Sequence, residues 1–164
     1  MKYSATILFF IMILIAGCDT IPEEFSIIYS MESAGNYKIS IEIDKDKNYS
    51  VRQQNMFFDF QAGKERINTS EGKLSDDEYA ALAELIFRSR LFKMKDAYGF
   101  EQDANPDDPF NDFIYQLTYS EGGKTKYISI RSNPKDTYSK SFLQLVSFLS
   151  RYASEHLEAP NPEY

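Results

Sequence analysis

Tryptophan is absent from this chain, cysteine and histidine occur once each, and glycine and proline are sparse, at 7 and 6 of 164 residues. One Cys and one His cannot build a zinc site of Cys and His ligands within a single chain. They also make a Cys-His or Ser-His nucleophilic centre a poor reading, and a single Cys has no partner for an internal disulfide. Cations are the scarcer charge. The 18 Lys and Arg against 25 Asp and Glu leave a net −7, the reverse of the clustered basic excess that a nucleic-acid surface needs. What is present is apolar and aromatic: 43% hydrophobic residues, with 12 Tyr and 13 Phe. The aromatics read as core and sheet-face filling rather than as the walls of a binding groove. The length suits one domain, with appendages at most.

The first eighteen residues stand apart from that domain. Met1 to Thr6 carries one cation, Lys2, and Ile7 to Ala16 is an unbroken apolar run. A bilayer-spanning helix needs about 20 apolar residues, so the run is too short to span; its layout is that of a secretory signal peptide. It closes on Ile15-Ala16-Gly17-Cys18, which resembles the lipobox of bacterial lipoproteins: an aliphatic residue, two small ones and the Cys. The resemblance implies that residues 1–17 are a lipoprotein signal peptide. Cys18 would receive a diacylglyceryl group, cleavage would fall before it, and the new amine would be acylated. Two or more chains anchor stably where one binds marginally. The implied location is the bacterial cell envelope, with the protein membrane-attached through Cys18. Asp19 resembles the inner-membrane retention signal of enteric bacteria, a rule other Gram-negative groups do not follow, so the choice of membrane stays open. Loss of Lys2 with the signal takes the charge from −7 to −8. A chain of about 150 residues buries about 70% of its unfolded surface, enough for a core without disulfides.

Residues 18–24 read as a lipidated N-terminus and polar tether, 25–153 as a single domain and 154–164 as a loose tail. Within the domain, Phe25 and Ile27-Ile28-Tyr29 predict a first strand. Tyr37, Ile39, Ile41 and Ile43 alternate with Lys38, Ser40, Glu42 and Asp44, the mark of a half-buried strand. Asp44 to Asn48 is a turn by composition, and Tyr49 and Val51 resume the alternation, completing a hairpin. Met56 to Phe60 and the stretch around Arg66-Ile67 predict further strand with a blurred pattern. Ser75 and Glu78 form a capping box before a helix over about 76–90, Leu74 and Tyr79 stand at hydrophobic-staple positions, and Leu91-Phe92 is expected to tuck beneath it. Residues 93–112 are acidic and irregular. Phe113, Tyr115, Leu117 and Tyr119 alternate again, Gly122-Gly123 suits a tight turn, and Tyr127 to Ile130 returns. Asn133-Pro134 reads as N-cap and first residue of a second helix to about Ala153, with Tyr138, Phe142, Leu145, Val146, Leu149 and Tyr152 as its apolar stripe. The expected class is α+β: an antiparallel sheet of about five strands with two helices packed on one face.

Chemistry-bearing candidates are few. Asp103, Asn105 and Asp107 alternate like the opening of an EF-hand loop, but Asp108 stands where Gly is required and Ile114 where the bidentate Glu should be. A looser calcium site on those three residues is what remains of the metal reading, against a solvated acidic loop. Asp44, Asp46 and Asn48 fail the same pattern. His156, between Glu155 and Glu158, falls in the expected exposed tail. Gly122-Gly123-Lys124-Thr125 lacks the spacing of a phosphate loop. No cofactor is implied, and an enzyme is not the expected class.

From Lys73 to Leu149 the layout resembles small uncharacterised lipoproteins of low-G+C Gram-negative bacteria. The resemblance is carried by Gly72-Lys73-Leu74-Ser75, Leu91-Phe92, Asp112 to Leu117, Gly123-Lys124 and Asn133-Pro134. It is similar, more weakly, to emfourin-like inhibitors of thermolysin-type metalloproteases. These are caps, turns and core positions, so the resemblance implies a fold and an envelope location without transferring any functional residue. Two functions follow as expectations. One is a lipid-anchored envelope protein with a non-catalytic binding or accessory domain and an envelope protein partner. The other is an envelope protease inhibitor or immunity-type protein using the 93–112 loop.

Overall fold

The computed structural model of the chain describes residues 20–33, 37–55, 66–100, 113–131 and 137–157. Strands β1 (Ser26–Ser33), β2 (Tyr37–Ile43), β3 (Asn48–Asn55) and β4 (Arg66–Lys73) come first, followed by helix α1 (Asp76–Ser89) and one 3-10 turn (Leu91–Lys93). Then come β5 (Ala97–Tyr98), β6 (Phe113–Glu121), β7 (Lys124–Arg131) and helix α2 (Lys140–Glu155). They form one seven-stranded sheet in the order β4-β3-β2-β1-β6-β7-β5. Every pairing is antiparallel except the short β5–β7 edge. The α+β class matches the expectation, and the sheet is larger than about five strands.

Register explains the two faces. Ile27, Tyr29 and Met31 of β1 stand opposite Ile43, Ile41 and Ile39 of β2, and opposite Tyr119, Leu117 and Tyr115 of β6. Because side chains alternate across a strand, these rows share one face. Val51, Ile128 and Ile130 extend that face to either side. The apolar stripes of the helices join it in one core cluster: Tyr79, Leu82, Ala83 and Ile86 from α1, and Phe142, Leu145, Leu149, Tyr152 and Ala153 from α2. The opposite face carries Lys38, Ser40, Arg52, Gln54 and Gln116, with Ile28 and Tyr127 exposed on it.

The local signals act as their chemistry requires. The Ser75 hydroxyl accepts from the Glu78 N–H at 3.3 Å, and the Ser75 N–H donates to the Glu78 carboxylate at 2.8 Å. Leu74 and Tyr79 are both buried. Asp44 closes the β2–β3 turn, its carboxylate accepting from the N–H groups of Asp46 (2.9 Å) and Asn48 (2.8 Å) and from the Asn48 side-chain amide (2.9 Å). The β6–β7 hairpin turns on Gly122 and Gly123 at φ 54° and 77°, where a side chain would be strained.

Other expectations are corrected. Residues 137–139 are not helical, so the second helix does not run from Asn133-Pro134, two residues that lie outside the described ones. Ser139 caps α2 instead, its hydroxyl accepting from the Phe142 N–H at 3.2 Å. Tyr138, ahead of the helix, packs edge-on against Tyr98 at 5.3 Å. Leu91 is buried but Phe92 is 42% exposed: both lie in the 3-10 turn after Arg90, where successive side chains point to different sides. Residues 154 and 155 belong to α2, and His156 is its half-buried C-cap rather than part of an exposed tail. Pro22 is buried, so the stretch marked as tether is held to the domain from that point. The expected strand at Met56–Phe60 lies outside the described residues.

Candidate functional site

Cys18 and the calcium candidates Asp103, Asn105 and Asp107 lie outside the described residues. Among the described residues no group of three or more His, Cys, Asp or Glu is placed to hold a metal. The second acidic set is brought together, but for a structural purpose. The hydrogen bonds from the Asn48 side chain, then from the backbone, hold the Asp44 carboxyl below its usual range. His156 stacks on Tyr152 at 4.0 Å and meets Tyr49 edge-on at 5.0 Å, while its Nδ1 lies 2.9 Å from the Tyr152 carbonyl. Its role is to close a helix end and pack an aromatic cluster.

The concave feature best suited to binding is an apolar groove of about 270 Å³ between α2 and the sheet. Met31 from β1, Tyr115 from β6 and Ile130 from β7 form its floor, and Val146 and Leu143 from α2 form a wall. Leu143 is 52% exposed at the rim, one position outside the buried stripe of α2. At the inner end, the Tyr29 and Ser150 hydroxyls lie 2.7 Å apart in a hydrogen bond that ties β1 to α2. Burial pushes the Tyr29 hydroxyl up to about 12; the bond from Ser150 opposes that shift and neighbouring Tyr115 adds to it. At neutral pH Tyr29 therefore keeps its proton and serves as a hydrogen-bonding group, not as a base. The groove can seat an apolar group and offer one hydroxyl pair to a polar one. Among the described residues its lining holds no carboxylate, imidazole or amine.

A second depression, of about 300 Å³, opens at the far end of α1 among Thr20, Pro22, Arg90, Phe92 and Glu121. There the Tyr119 hydroxyl donates to the Glu121 carboxylate at 2.7 Å, and burial first, then that carboxylate, raises its pKa strongly.

Sequence reasoning assigned the tyrosines to the core and so missed the groove that Tyr29, Tyr115 and Tyr138 help to line. The available signal was Leu143. Beside the stripe that includes Val146, it widens the apolar face of α2 beyond what one sheet face covers. Met31 and Tyr115 likewise carry the apolar alternation past the buried middle of their strands.

Fold and site together define an α+β domain with a polar sheet face, a helix-covered face and a groove whose described lining is apolar. No protein-family model matches the chain, and no curated protein matches it.

Proposed function

We propose that this chain is a lipid-anchored protein of the bacterial cell envelope, attached through Cys18, whose α+β domain has a binding or accessory role rather than a catalytic one. The observation that carries the reading is Ile15-Ala16-Gly17-Cys18 at the end of a short apolar run, the arrangement that resembles a lipobox. No helix among the described residues is long and apolar enough to cross a membrane. Thr20, two residues beyond the Cys in sequence, is exposed. The binding half of the reading draws on the groove, whose chemistry suits an apolar side chain of an envelope protein partner.

Metabolic labelling with a lipid precursor tests the anchor. The wild type takes up label and Cys18→Ser does not; label on both, or on neither, overturns the reading. A photo-crosslinking residue at Leu143, compared with one at Tyr127 on the opposite sheet face, tests the binding role in intact cells. A discrete protein adduct from position 143 and none from 127 is the expected result. Equal adducts, or none from 143, overturn it.

A further inference from the structure

In a chain of net charge −7, residues 88–95 hold four cations and no anion: Arg88, Arg90, Lys93 and Lys95. All four are exposed, as is Phe92 among them. The helix dipole accounts for Arg88 alone, which lies in the last turn of α1 and pairs with Glu84. The dipole's influence fades within that turn, and the other three lie beyond it.

The same end of the domain receives the N-terminus. Thr20 and Pro22 share one depression with Arg90, Phe92 and Lys93. Phe25 lies elsewhere, stacked on Tyr79 in the first turns of α1 at a centroid distance of 4.5 Å. Residues 20–25 thus run along α1 between its C-terminal end and Tyr79, about 15 Å at 1.5 Å per residue. This path carries Glu23 and Glu24 away from the cations and leaves Thr20 and Ile21 among them. Ile21 is 50% exposed. Cys18 is two residues before Thr20 and so lies within about 7 Å of it, at no more than about 3.6 Å per residue. That is shorter than the roughly 8 Å over which charges act in physiological salt. Among the described acids near this end, Glu121 accepts from Tyr119 and Asp96 pairs with Lys126.

We propose that the anchored domain lies on its own bilayer with this end down. Arg90, Lys93 and Lys95 face anionic phospholipid headgroups, and Phe92 and Ile21 enter the interfacial layer. The proposal rests on the lipid anchor at Cys18 and adds an orientation to it. Each cation near an anionic leaflet is worth about a fivefold bias toward the docked state, and exposed apolar side chains beside a covalent lipid strengthen such contact.

The chain has no Trp, so a single introduced indole is an unambiguous reporter. Full-length lipidated F92W and Y127W would be reconstituted in vesicles of phosphatidylethanolamine and phosphatidylglycerol carrying a headgroup-level quencher lipid. F92W is expected to be quenched at least about twofold more than Y127W, and the combined R90Q, K93Q and K95Q changes are expected to abolish that difference while the protein still floats with the vesicles. I21W repeats the measurement at an independent site. Flotation with F92W and I21W no more quenched than Y127W overturns the orientation and leaves the anchor standing, freeing this surface for a protein partner. Loss of both flotation and lipid labelling overturns the anchor and the orientation with it.

Discussion

Gly72 shows how much one missing Cβ can decide. It pairs with Tyr49 across β3 and β4, and a Cβ built there would fall 2.5 Å from the Tyr49 hydroxyl oxygen and 2.6 Å from Cζ. The tyrosine ring lies over the glycine and cannot simply swing away, because its edges meet Tyr152 at 5.4 Å and His156 at 5.0 Å. Gly72→Ala should therefore cost about 1–3 kcal/mol by overpacking. In a Tyr49→Ala background the same substitution should cost much less, a coupling that urea unfolding of the four variants would measure. Tyr29 offers a second test at this scale. Tyr29→Phe removes the bond to Ser150 and should cost about 1 kcal/mol. Its pKa, like that of Tyr152, is raised by burial to about 12 from an ordinary 10. The folded state thus holds these protons more tightly than the unfolded chain. Their contribution is fully present below pH 10 and is lost as pH rises through 12, where the unfolded state has already ionised. Unfolding midpoints should fall between about pH 9 and about pH 11.5, and the fall should be smaller in Tyr29→Phe.

Among the elements, those with a complete local mechanism were legible in the sequence and those shaped by distant contacts were not. β2 could be read because Ile39, Ile41 and Ile43 are all buried while the residues between them face the polar side. The start of α1 could be read because Ser75, Glu78, Leu74 and Tyr79 satisfy a cap and a staple among themselves. Ser75→Ala should cost about 1 kcal/mol. It should also let the Glu78 pKa rise, since the Ser75 hydroxyl and N–H are the main groups holding that carboxyl below its usual range. Titration of the Glu78 carboxyl by NMR in the two proteins would report it. β4 was blurred because its core-side positions opposite Gln53, Val51 and Tyr49 are Asn68, Ser70 and Gly72. An edge strand can leave such positions polar without burying them in the core. β5 has two residues and no period to detect; it is fixed by pairing with β7 and by the Ser129 N–H donating to the Asp96 carbonyl at 2.8 Å. The start of α2 was misplaced because Asn133-Pro134 is a good cap signal in isolation. Tyr138 is instead engaged by Tyr98, and Ser139 is the residue whose hydroxyl accepts from the Phe142 N–H in the first turn. The groove escaped for a related reason: whether an aromatic fills a core or lines its opening depends on where the facing helix stops covering it.

At the scale of the whole molecule, the strand nearest the N-terminus is the middle of the sheet. β1 pairs with β2 from Ile27 beside Ile43 to Ser33 beside Tyr37, and with β6 from Ser26 beside Ser120 to Ser33 beside Phe113, so it joins a local hairpin to a partner far along the chain. Pairing of that second kind must close a long loop before it is rewarded, which places β1–β6 late in assembly and makes it the joint on which both halves depend. A pull transmitted from Cys18 through Thr20 reaches a strand bonded on both sides, and it can be released only by opening the centre of the sheet. Phe25 guards the entry to that joint. It is 2% exposed, it stacks on Tyr79 with 12° between ring planes, and its backbone N–H donates to the Tyr79 hydroxyl at 3.2 Å. Phe25→Ala should remove about 3–5 kcal/mol of stability and should speed amide exchange across β1 and β6 together. Loss of protection confined to residues next to position 25 would mean that β1 is not the shared joint. In the wild type, exchange should be slowest in β1 and its two neighbours and fastest in β4 and β5, the edge strands of the sheet among the described residues. A gradient of that form would mean that the most protected backbone in the domain includes the strand that stands nearest to Cys18 in the sequence.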